Sequence, residues 1–292
     1  MMRRTLAGLA GAAVLAFTSS PAAAQFFGGS CDRAQLQEMA DKYIKAQTEG
    51  LPLYIPMGNW VTYHENDALS TMSQGVLSTP LKIAYHKALL DTDQCKVFLE
   101  MTSYEGDKPY VIAVQFGARG GNAGNFEVIS TTKGDWLFDA KYTTEYAKRE
   151  DWSEIPEDKR NTPAELKAAA DAYLDLFKDK SVKVAWGSPC NRLEGSVYTG
   201  KGEPTDSCNV GVPDNIEMAD REYVIDPVIG AVDVFLKMGP KKRPDSHLFR
   251  IENGKIRYIH TVTNCQGEDN CGFGSFEEML KKNPQMRPDF KD

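Results

Sequence analysis

The chain has 292 residues, a formal net charge of −7 and six cysteines. This acidic balance disfavours nucleic acids and anionic membrane surfaces as partners, because binding to either needs clustered lysine and arginine. The sequence contains no glycine-rich phosphate loop, no Gly-x-Ser-x-Gly elbow and no His-Glu-x-x-His motif. We therefore do not expect a nucleotide-dependent oxidoreductase or a serine hydrolase of the elbow type.

The first 24 residues have the pattern of a secretory signal peptide. Arg3 and Arg4 precede an apolar run at 6–17, and the small residues 22–24 provide a cleavage site before Gln25. The apolar run is shorter than the about 20 residues that a membrane-spanning helix needs, although an uncleaved anchor is the alternative. Loss of the two arginines changes the net charge from −7 to −9. We expect an exported protein, secreted or periplasmic, without a stable membrane span.

The placement of the cysteines favours three disulfides. All six follow the predicted signal peptide, and an even number in an exported chain is typical of a disulfide framework. Six cysteines allow 15 pairings, so the sequence leaves the connectivity open. The loop lengths favour Cys265–Cys271 and Cys190–Cys208, which leaves Cys31–Cys95. No Cys-x-x-Cys spacing occurs and no histidine lies near a cysteine cluster, so a metal site is the weaker alternative.

Two amphipathic helices with the same pattern are predicted 130 positions apart. Apolar residues recur at i, i+3, i+4, i+7 and i+8 in both, which places them on one helical face. The first stripe comprises Leu36, Met39, Ala40, Tyr43 and Ile44, and the second comprises Leu166, Ala169, Ala170, Tyr173 and Leu174. Asp32 is the expected N-cap of the first helix. Thr162, Pro163 and Glu165 form a capping box with proline at the first position of the second helix.

Each helix is followed by an irregular stretch and then by β-strands. The predicted strands are 96–101, 110–116 and 126–131 in the first half, and 231–238, 247–251 and 256–263 in the second. This repeat predicts an α+β fold of two tandem domains, 31–144 and 162–272, each with N-terminal helices packed on an antiparallel sheet. Residues 145–161 are expected to form a linker, and 273–292 a tail with a short helix at 276–281. The stretch around His86 is interpreted as helical.

Short motifs along nearly the whole chain after the signal peptide carry a family resemblance. In chain order they are Cys31-Asp32-Arg33, Gly75-Val76-Leu77, Pro80-Leu81-Lys82-Ile83, Pro109-Tyr110-Val111-Ile112, Gly134-Asp135-Trp136-Leu137-Phe138, Trp186-Gly187-Ser188-Pro189-Cys190, Arg192-Leu193-Glu194-Gly195, Gly230-Ala231-Val232-Asp233-Val234-Phe235, Pro244-Asp245-Ser246-His247 and Lys255-Ile256-Arg257-Tyr258-Ile259-His260-Thr261. With these motifs the chain resembles a secreted, largely fungal family of unknown function with two nuclear-transport-factor-2-like (SnoaL-like) domains. The resemblance implies two cone-shaped domains, each a curved sheet closed by helices.

The resemblance also implies where chemistry would occur. The wider superfamily includes scytalone dehydratase and ketosteroid isomerase, whose relatives usually work without a cofactor. Such enzymes move protons with His, Asp, Glu and Tyr side chains inside the cone. The superfamily also contains plain binding proteins, and a fold does not by itself establish a function.

Two histidines of the second half are candidate acid/base groups. Alternation along the strand places His260 on one face with Tyr258 and Val262, and a histidine there could exchange protons near neutral pH. The other interpretation is a hydrogen-bonded core histidine. His247 follows Asp245, which could orient either histidine or simply cap a turn.

Other polar residues of the second half are candidates for substrate binding. Arg192 and Glu194 share a face if their segment is extended, so they could bind an anionic or hydroxylated ligand or form a structural ion pair. Tyr198, Arg221 and Asp233 are weaker members of the same neighbourhood.

In the first half, Tyr63 and Glu65 lie in the densest polar run. They would share one face of an extended segment, with Trp60 available as an aromatic wall. His64 and Asn66 would share the other face. Tyr63 and Glu65 are candidates for substrate binding, and core hydrogen bonding is the alternative role for the whole group.

Two functional hypotheses follow. The first is a cofactor-independent lyase, isomerase or hydrolase that acts on a small aromatic or sugar-derived molecule in the second domain. In it His260 is the acid/base, Arg192 the substrate clamp, and Tyr198 or Glu194 polarises the reacting oxygen. The second is a non-catalytic exported binding or surface protein, in which the same polar residues are hydrogen-bond partners in the core.

Overall fold

The computed structural model describes residues 31–274, 277, 278 and 281. The predicted signal peptide lies outside these residues, and so do residues 276, 279 and 280 of the predicted helix at 276–281. None of the described helices combines the length and hydropathy that a bilayer crossing needs.

The first domain consists of one long helix and a six-stranded sheet. Helix α1 (Arg33–Glu49) is followed by strands β1 (Tyr63–Glu65), β2 (Ala68–Leu69), β3 (Tyr85–Asp91), β4 (Lys96–Ser103), β5 (Tyr110–Arg119) and β6 (Asn122–Thr131), in the spatial order β2-β1-β6-β5-β4-β3. As predicted, the Asp32 side chain caps α1 by accepting a hydrogen bond from the backbone N–H of Ala34. The stripe that contains Leu36, Ala40 and Tyr43 is buried against the sheet.

The second domain repeats this arrangement. After α2 (Ala140–Ala147) come helix α3 (Pro163–Asp175) and strands β7 (Trp186–Glu194), β8 (Val197–Tyr198), β9 (Met218–Asp226), β10 (Ala231–Met238), β11 (Arg243–Glu252) and β12 (Lys255–Thr263), in the spatial order β8-β7-β12-β11-β10-β9. The predicted capping box of Thr162 and Glu165 is present at the start of α3. The α+β class and the two tandem units are therefore confirmed.

Two details of the predicted fold are wrong. Each sheet is mixed, because β1 pairs with β6 and β7 pairs with β12 in parallel. The stretch around His86 is strand β3, which pairs with β4 along its whole length. Ala88, Leu89 and Leu90 have good helix propensity, but pairing with β4 and burial of the leucines decide in favour of a strand.

Each sheet buries both of its faces. One face packs under the domain's own helix, and we name these interiors cone 1, between α1 and the first sheet, and cone 2, between α3 and the second sheet. The other faces pack against each other in an inter-sheet layer, where Phe98 meets Phe235 edge to face with ring centroids 6.4 Å apart. Successive residues of a strand therefore alternate between a cone and the inter-sheet layer.

The segment predicted as a linker is part of this packing. Helix α2 crosses the expected boundary at residue 144, and Trp152 and Ile155 are buried. The backbone N–H of Ile155 donates to the carbonyl of Val228 in the second domain. The connection between the domains is thus folded against both of them.

All three favoured disulfides form. Cys31–Cys95 joins the residue before α1 to the start of β4, Cys190–Cys208 joins β7 to the loop 199–217, and Cys265–Cys271 closes the loop after β12. No cysteine among the described residues is free. Three disulfides are typical of proteins from oxidising compartments.

Candidate functional site

The candidate residues of the second domain lie on opposite faces of its sheet. His247, Arg192 and Glu194 face cone 2, whereas His260 and Tyr198 face the inter-sheet layer and α2. The hydrogen-bonding register explains this division, because His247 lies opposite Thr261 and Leu248 lies opposite His260. The sequence pattern places these residues in one neighbourhood, and the pleat separates them into two clusters.

Arg192 and Glu194, both on β7, form a buried ion pair on the cone 2 face of the sheet. Glu194 Oε1 accepts a hydrogen bond from Arg192 Nε at 2.7 Å and lies 2.7 Å from Arg192 Nη2. Burial would raise the pKa of Glu194, but the attraction of the Arg192 guanidinium outweighs it, and the pKa is lowered. Arg192 Nη1 donates to the carbonyls of Cys208 and Val210. Arg192 therefore holds the loop 199–217 over cone 2 and has its donors engaged within the protein.

His247 lies next to this ion pair and against α3. Its Nδ1 is 2.9 Å from Asp245 Oδ2, although the angle between the groups does not fit a hydrogen bond. The other Asp245 oxygen, Oδ1, accepts from Thr263 Oγ1 at 2.7 Å. The His247 ring is 5.8 Å from the Tyr173 ring and stacks on Phe249 at 6.0 Å between centroids. His247 and Asp245 thus form a fully buried pair inside the cone.

Three buried polar atoms in cone 2 form no hydrogen bond among the described residues. They are Tyr173 Oη, and His247 Nδ1 and Asp245 Oδ2, which face each other at 2.9 Å. A buried hydroxyl without a partner costs about 1–3 kcal/mol, so the Tyr173 hydroxyl is unusual for a structure that only has to be stable. Burial also raises the pKa of Tyr173, which keeps its hydroxyl protonated and able to donate.

A surface cavity of about 480 Å³ lies at the mouth of cone 2. Its wall includes Trp186, Val212 and Lys180. The Trp186 ring meets the Tyr173 ring edge to face at 5.8 Å between centroids. Tyr173 therefore separates the mouth cavity from His247.

Cone 1 has the same frame with a different lining. Glu65 lies opposite Val128, which lies opposite Val114, and Glu194 lies opposite Thr261, which lies opposite His247. The two glutamates also precede the same short hairpin, because Glu65 pairs with Ala68 and Glu194 with Val197. Cone 1 thus has valine at the position of His247.

The predicted pair Tyr63 and Glu65 is present in cone 1 and is satisfied there. Glu65 Oε2 accepts from Tyr63 Oη at 3.1 Å and from the backbone N–H of Val76 at 2.7 Å. Glu65 Oε1 accepts from Ser130 Oγ at 2.8 Å. These contacts are those of a structural carboxylate that fastens the loop before β3 to the sheet.

His260 is the centre of the second cluster. Its Nδ1 lies 2.9 Å from Glu100 Oε2 of the first domain, and its Nε2 lies 2.6 Å from Glu150 Oε2. Tyr198 Oη donates to the other oxygen of Glu150 at 3.0 Å. The Trp152 ring packs edge to face on the imidazole at 5.4 Å between centroids. The cluster joins the two sheets and α2 across the inter-sheet layer.

The charge state of His260 follows from this geometry. Burial alone would lower its pKa, but the Glu100 and Glu150 carboxylates raise the pKa to about 10. The imidazolium then donates from both nitrogens and has no lone pair for a general base. These contacts are those of a structural cation.

Two further candidates have structural partners. Arg221 binds Asp171 and Asp175 of α3 at 2.9 Å and 2.7 Å, which ties α3 to β9. Asp233 lies in the inter-sheet layer, where it accepts from Gln115 Nε2 at 2.6 Å and from Ser246 Oγ at 2.7 Å. Burial raises the pKa of Asp233 well above its usual value.

Sequence reasoning does not identify Glu100, Glu150 and Tyr173 as parts of these clusters. Glu100 interrupts an otherwise apolar strand, and a charge in such a position is a signal of a buried partner. Glu150 lies in the segment interpreted as linker, and Tyr173 belongs to a stripe that predicts helical core. Neither position carries a local signal for its partner.

Comparison with known proteins places a family match on the second domain. A family model described as a domain of unknown function (DUF8021) matches residues 159–263. No curated protein and no solved structure matches the chain. The matched segment contains Tyr173, Arg192, Glu194, Asp245 and His247 of cone 2, and it contains His260 and Tyr198 of the second cluster but not Glu100, Glu150 or Trp152.

Proposed function

We propose that the protein is an exported, cofactor-independent enzyme whose acid/base residue is His247 in cone 2. The observation that supports this proposal is the convergence, in one cone interior, of the unpartnered Tyr173 hydroxyl and the buried His247–Asp245 pair. Proteins that violate the rule of satisfied buried groups usually do so at functional sites.

Each residue has a role that its contacts suit. His247 exchanges the proton, and the Asp245 carboxylate 2.9 Å away orients the ring. The Tyr173 hydroxyl donates a hydrogen bond to the reacting oxygen of the substrate. Arg192 and Glu194 hold each other and the loop 199–217, so in this proposal Arg192 positions the loop instead of clamping the substrate.

The substrate class follows from the mouth and lining of cone 2. The mouth cavity of about 480 Å³ is within the usual range for small-molecule sites. Contacts among the rings of Trp186, Tyr173 and Phe249 connect the wall of the mouth cavity to His247. A small aromatic or sugar-derived molecule with a reacting oxygen fits this combination, and proton transfer in a lyase, isomerase or hydrolase reaction is the chemistry that it supports.

A ligand screen followed by turnover assays tests the proposal. The oxidised protein is screened by thermal shift against lignin-derived aromatics, uronic acids, oligosaccharides and polyketide-like phenols, and each hit is assayed for conversion by mass spectrometry. We expect His247→Gln to lower turnover of a hit by about 10²-fold or more, because general acid/base catalysis contributes about 10²–10⁴-fold. Tyr173→Phe removes the unpartnered hydroxyl and should lower turnover without loss of fold. Turnover that survives both substitutions contradicts the assignment.

A non-catalytic binding protein is the second candidate. The observation in its favour is the closure of cone 2, since Tyr173 is fully buried between the mouth cavity and His247. On this view a hit stabilises the wild type, loses its effect in Tyr173→Ala and is never converted.

A further inference from the structure

A second cavity lies at the ends of β5 and β6, close to Glu222 of the second domain. It has a volume of about 700 Å³, within the range of small-molecule sites. The segment before β1, the ends of β5 and β6, and Glu222 of β9 surround it. We name it the domain groove. Neither the His247 cluster of cone 2 nor the Tyr63–Glu65 pair of cone 1 lines it.

An exposed aromatic ring, that of Trp60, lies at the domain groove. Trp60 is 91% exposed, more than Leu53 at 77% or Leu69 at 76%. An indole left in water forgoes the stabilisation of burying a large apolar surface. Exposed tryptophan at the rim of a cavity is typical of a binding surface.

The rest of the lining is rich in neutral hydrogen-bonding groups. It includes the amides Asn122, Asn125 and Gln94 and the hydroxyl of Thr62. Asn125 Oδ1 accepts from Thr62 Oγ1 at 3.2 Å, which fixes the plane of that amide. Primary amides offer both donors and acceptors, which suits a ligand with several neighbouring hydroxyls.

The charges at the domain groove cancel. Lys96 and Arg119 balance Glu127 and Glu222 in the lining. Glu127 is already paired with His64 at 2.8 Å, and Lys96 lies 3.9 Å from Glu222. A polyanion or polycation would meet no net opposite charge here, so the ligand is expected to be neutral.

The geometry points to the domain groove as a binding site for a neutral oligosaccharide. A pyranose ring has an apolar face of C–H groups that can stack on Trp60, and an edge of hydroxyls that the amides can bind. The lining draws on both domains, because Glu222 comes from the second domain while Trp60 and the amides come from the first. It does not depend on catalysis in cone 2.

Titration of the oxidised protein with neutral oligosaccharides tests this site. Maltotriose, cellotriose and chitotriose are the probes, with trigalacturonate as the charged comparison, and binding is measured by calorimetry. We expect at least one neutral trisaccharide to bind and Trp60→Ala to weaken that binding by about tenfold or more, as for a central aromatic contact. Asn125→Ala should weaken it as well.

Two control variants distinguish binding in the domain groove from binding in cone 2 or on any exposed apolar side chain. Leu53→Ala removes a similarly exposed apolar side chain outside the domain groove and should bind like the wild type. His247→Gln alters cone 2 and should also bind like the wild type. Binding that is unaffected by Trp60→Ala, binding of trigalacturonate alone, or no binding of any neutral trisaccharide at millimolar concentration overturns the proposal.

Discussion

Cone 1 and cone 2 have the same arrangement of helix and strands but different side chains in their interiors. Both have a tyrosine from the long helix, Tyr43 or Tyr173, with a buried hydroxyl that has no partner among the described residues. Both have a glutamate at the same place in the sheet. In cone 1 that glutamate binds neutral donors, and in cone 2 it binds an arginine.

The difference between the cones lies in two strand positions. Cone 1 has Val114 and Val128 where cone 2 has His247 and Thr261. The valines pack on aromatic rings in an apolar core, whereas His247 brings an ionisable ring next to a carboxylate. Under the proposed function, cone 1 is scaffold and cone 2 holds the chemistry.

Matched substitutions of the two glutamates should lower the free energy of unfolding by different amounts in the two cones. Glu194→Gln leaves the buried Arg192 without its counter-charge, so we expect a loss of roughly 3 kcal/mol in the free energy of unfolding. Glu65→Gln keeps an acceptor for the N–H of Val76 and should cost about 1 kcal/mol. Urea denaturation of both variants measures the difference. Equal losses would mean that the two glutamates have equivalent roles.

Above pH 6.5 the pH dependence of stability should include a contribution from the inter-sheet layer, where His260 lies. The pKa of His260 is raised from its usual 6.5 to about 10 in the folded protein. A raised pKa means that the folded state holds the proton more tightly than the unfolded state, so the stabilisation is complete below pH 6.5 and is lost as the pH rises towards 10. Urea denaturation across this range should show that loss in the wild type. The variant His260→Gln should be less stable at neutral pH and should lack this component of the pH dependence.

The helix caps should show the smallest effects, of similar size in both domains. Thr162→Ala removes the capping box of α3, and Asp32→Ala removes the single cap of α1. Each should cost about 1 kcal/mol, measured as a shift of the denaturation midpoint. A much larger cost at one helix would show that its domain depends on that helix more than the shared frame implies.

Local patterns predicted α1 and α3, their caps and the favoured disulfide pairs, because each depends on residues close in sequence or on loop length, whereas α2 was not predicted. The Arg192–Glu194 pair was also predictable, since a strand places alternate residues on one face. The contact between His260 and Glu100 spans 160 residues, and no periodicity in one strand reports its partner in another domain. The mixed character of the sheets has the same origin, because β1 and β6 are distant in sequence and pair in parallel.

Histidine NMR of the ligand-bound protein tests the central claim most directly. The chain has four histidines, which lie in distinct environments: His64 beside the domain groove, His86 exposed on β3, His247 in cone 2 and His260 in the inter-sheet layer. For a compound that the protein converts, we predict that the imidazole resonances of His247 shift while those of His260 stay unchanged. Shifts at His64 or His86 with an unchanged His247 would contradict the assignment of the active site to cone 2.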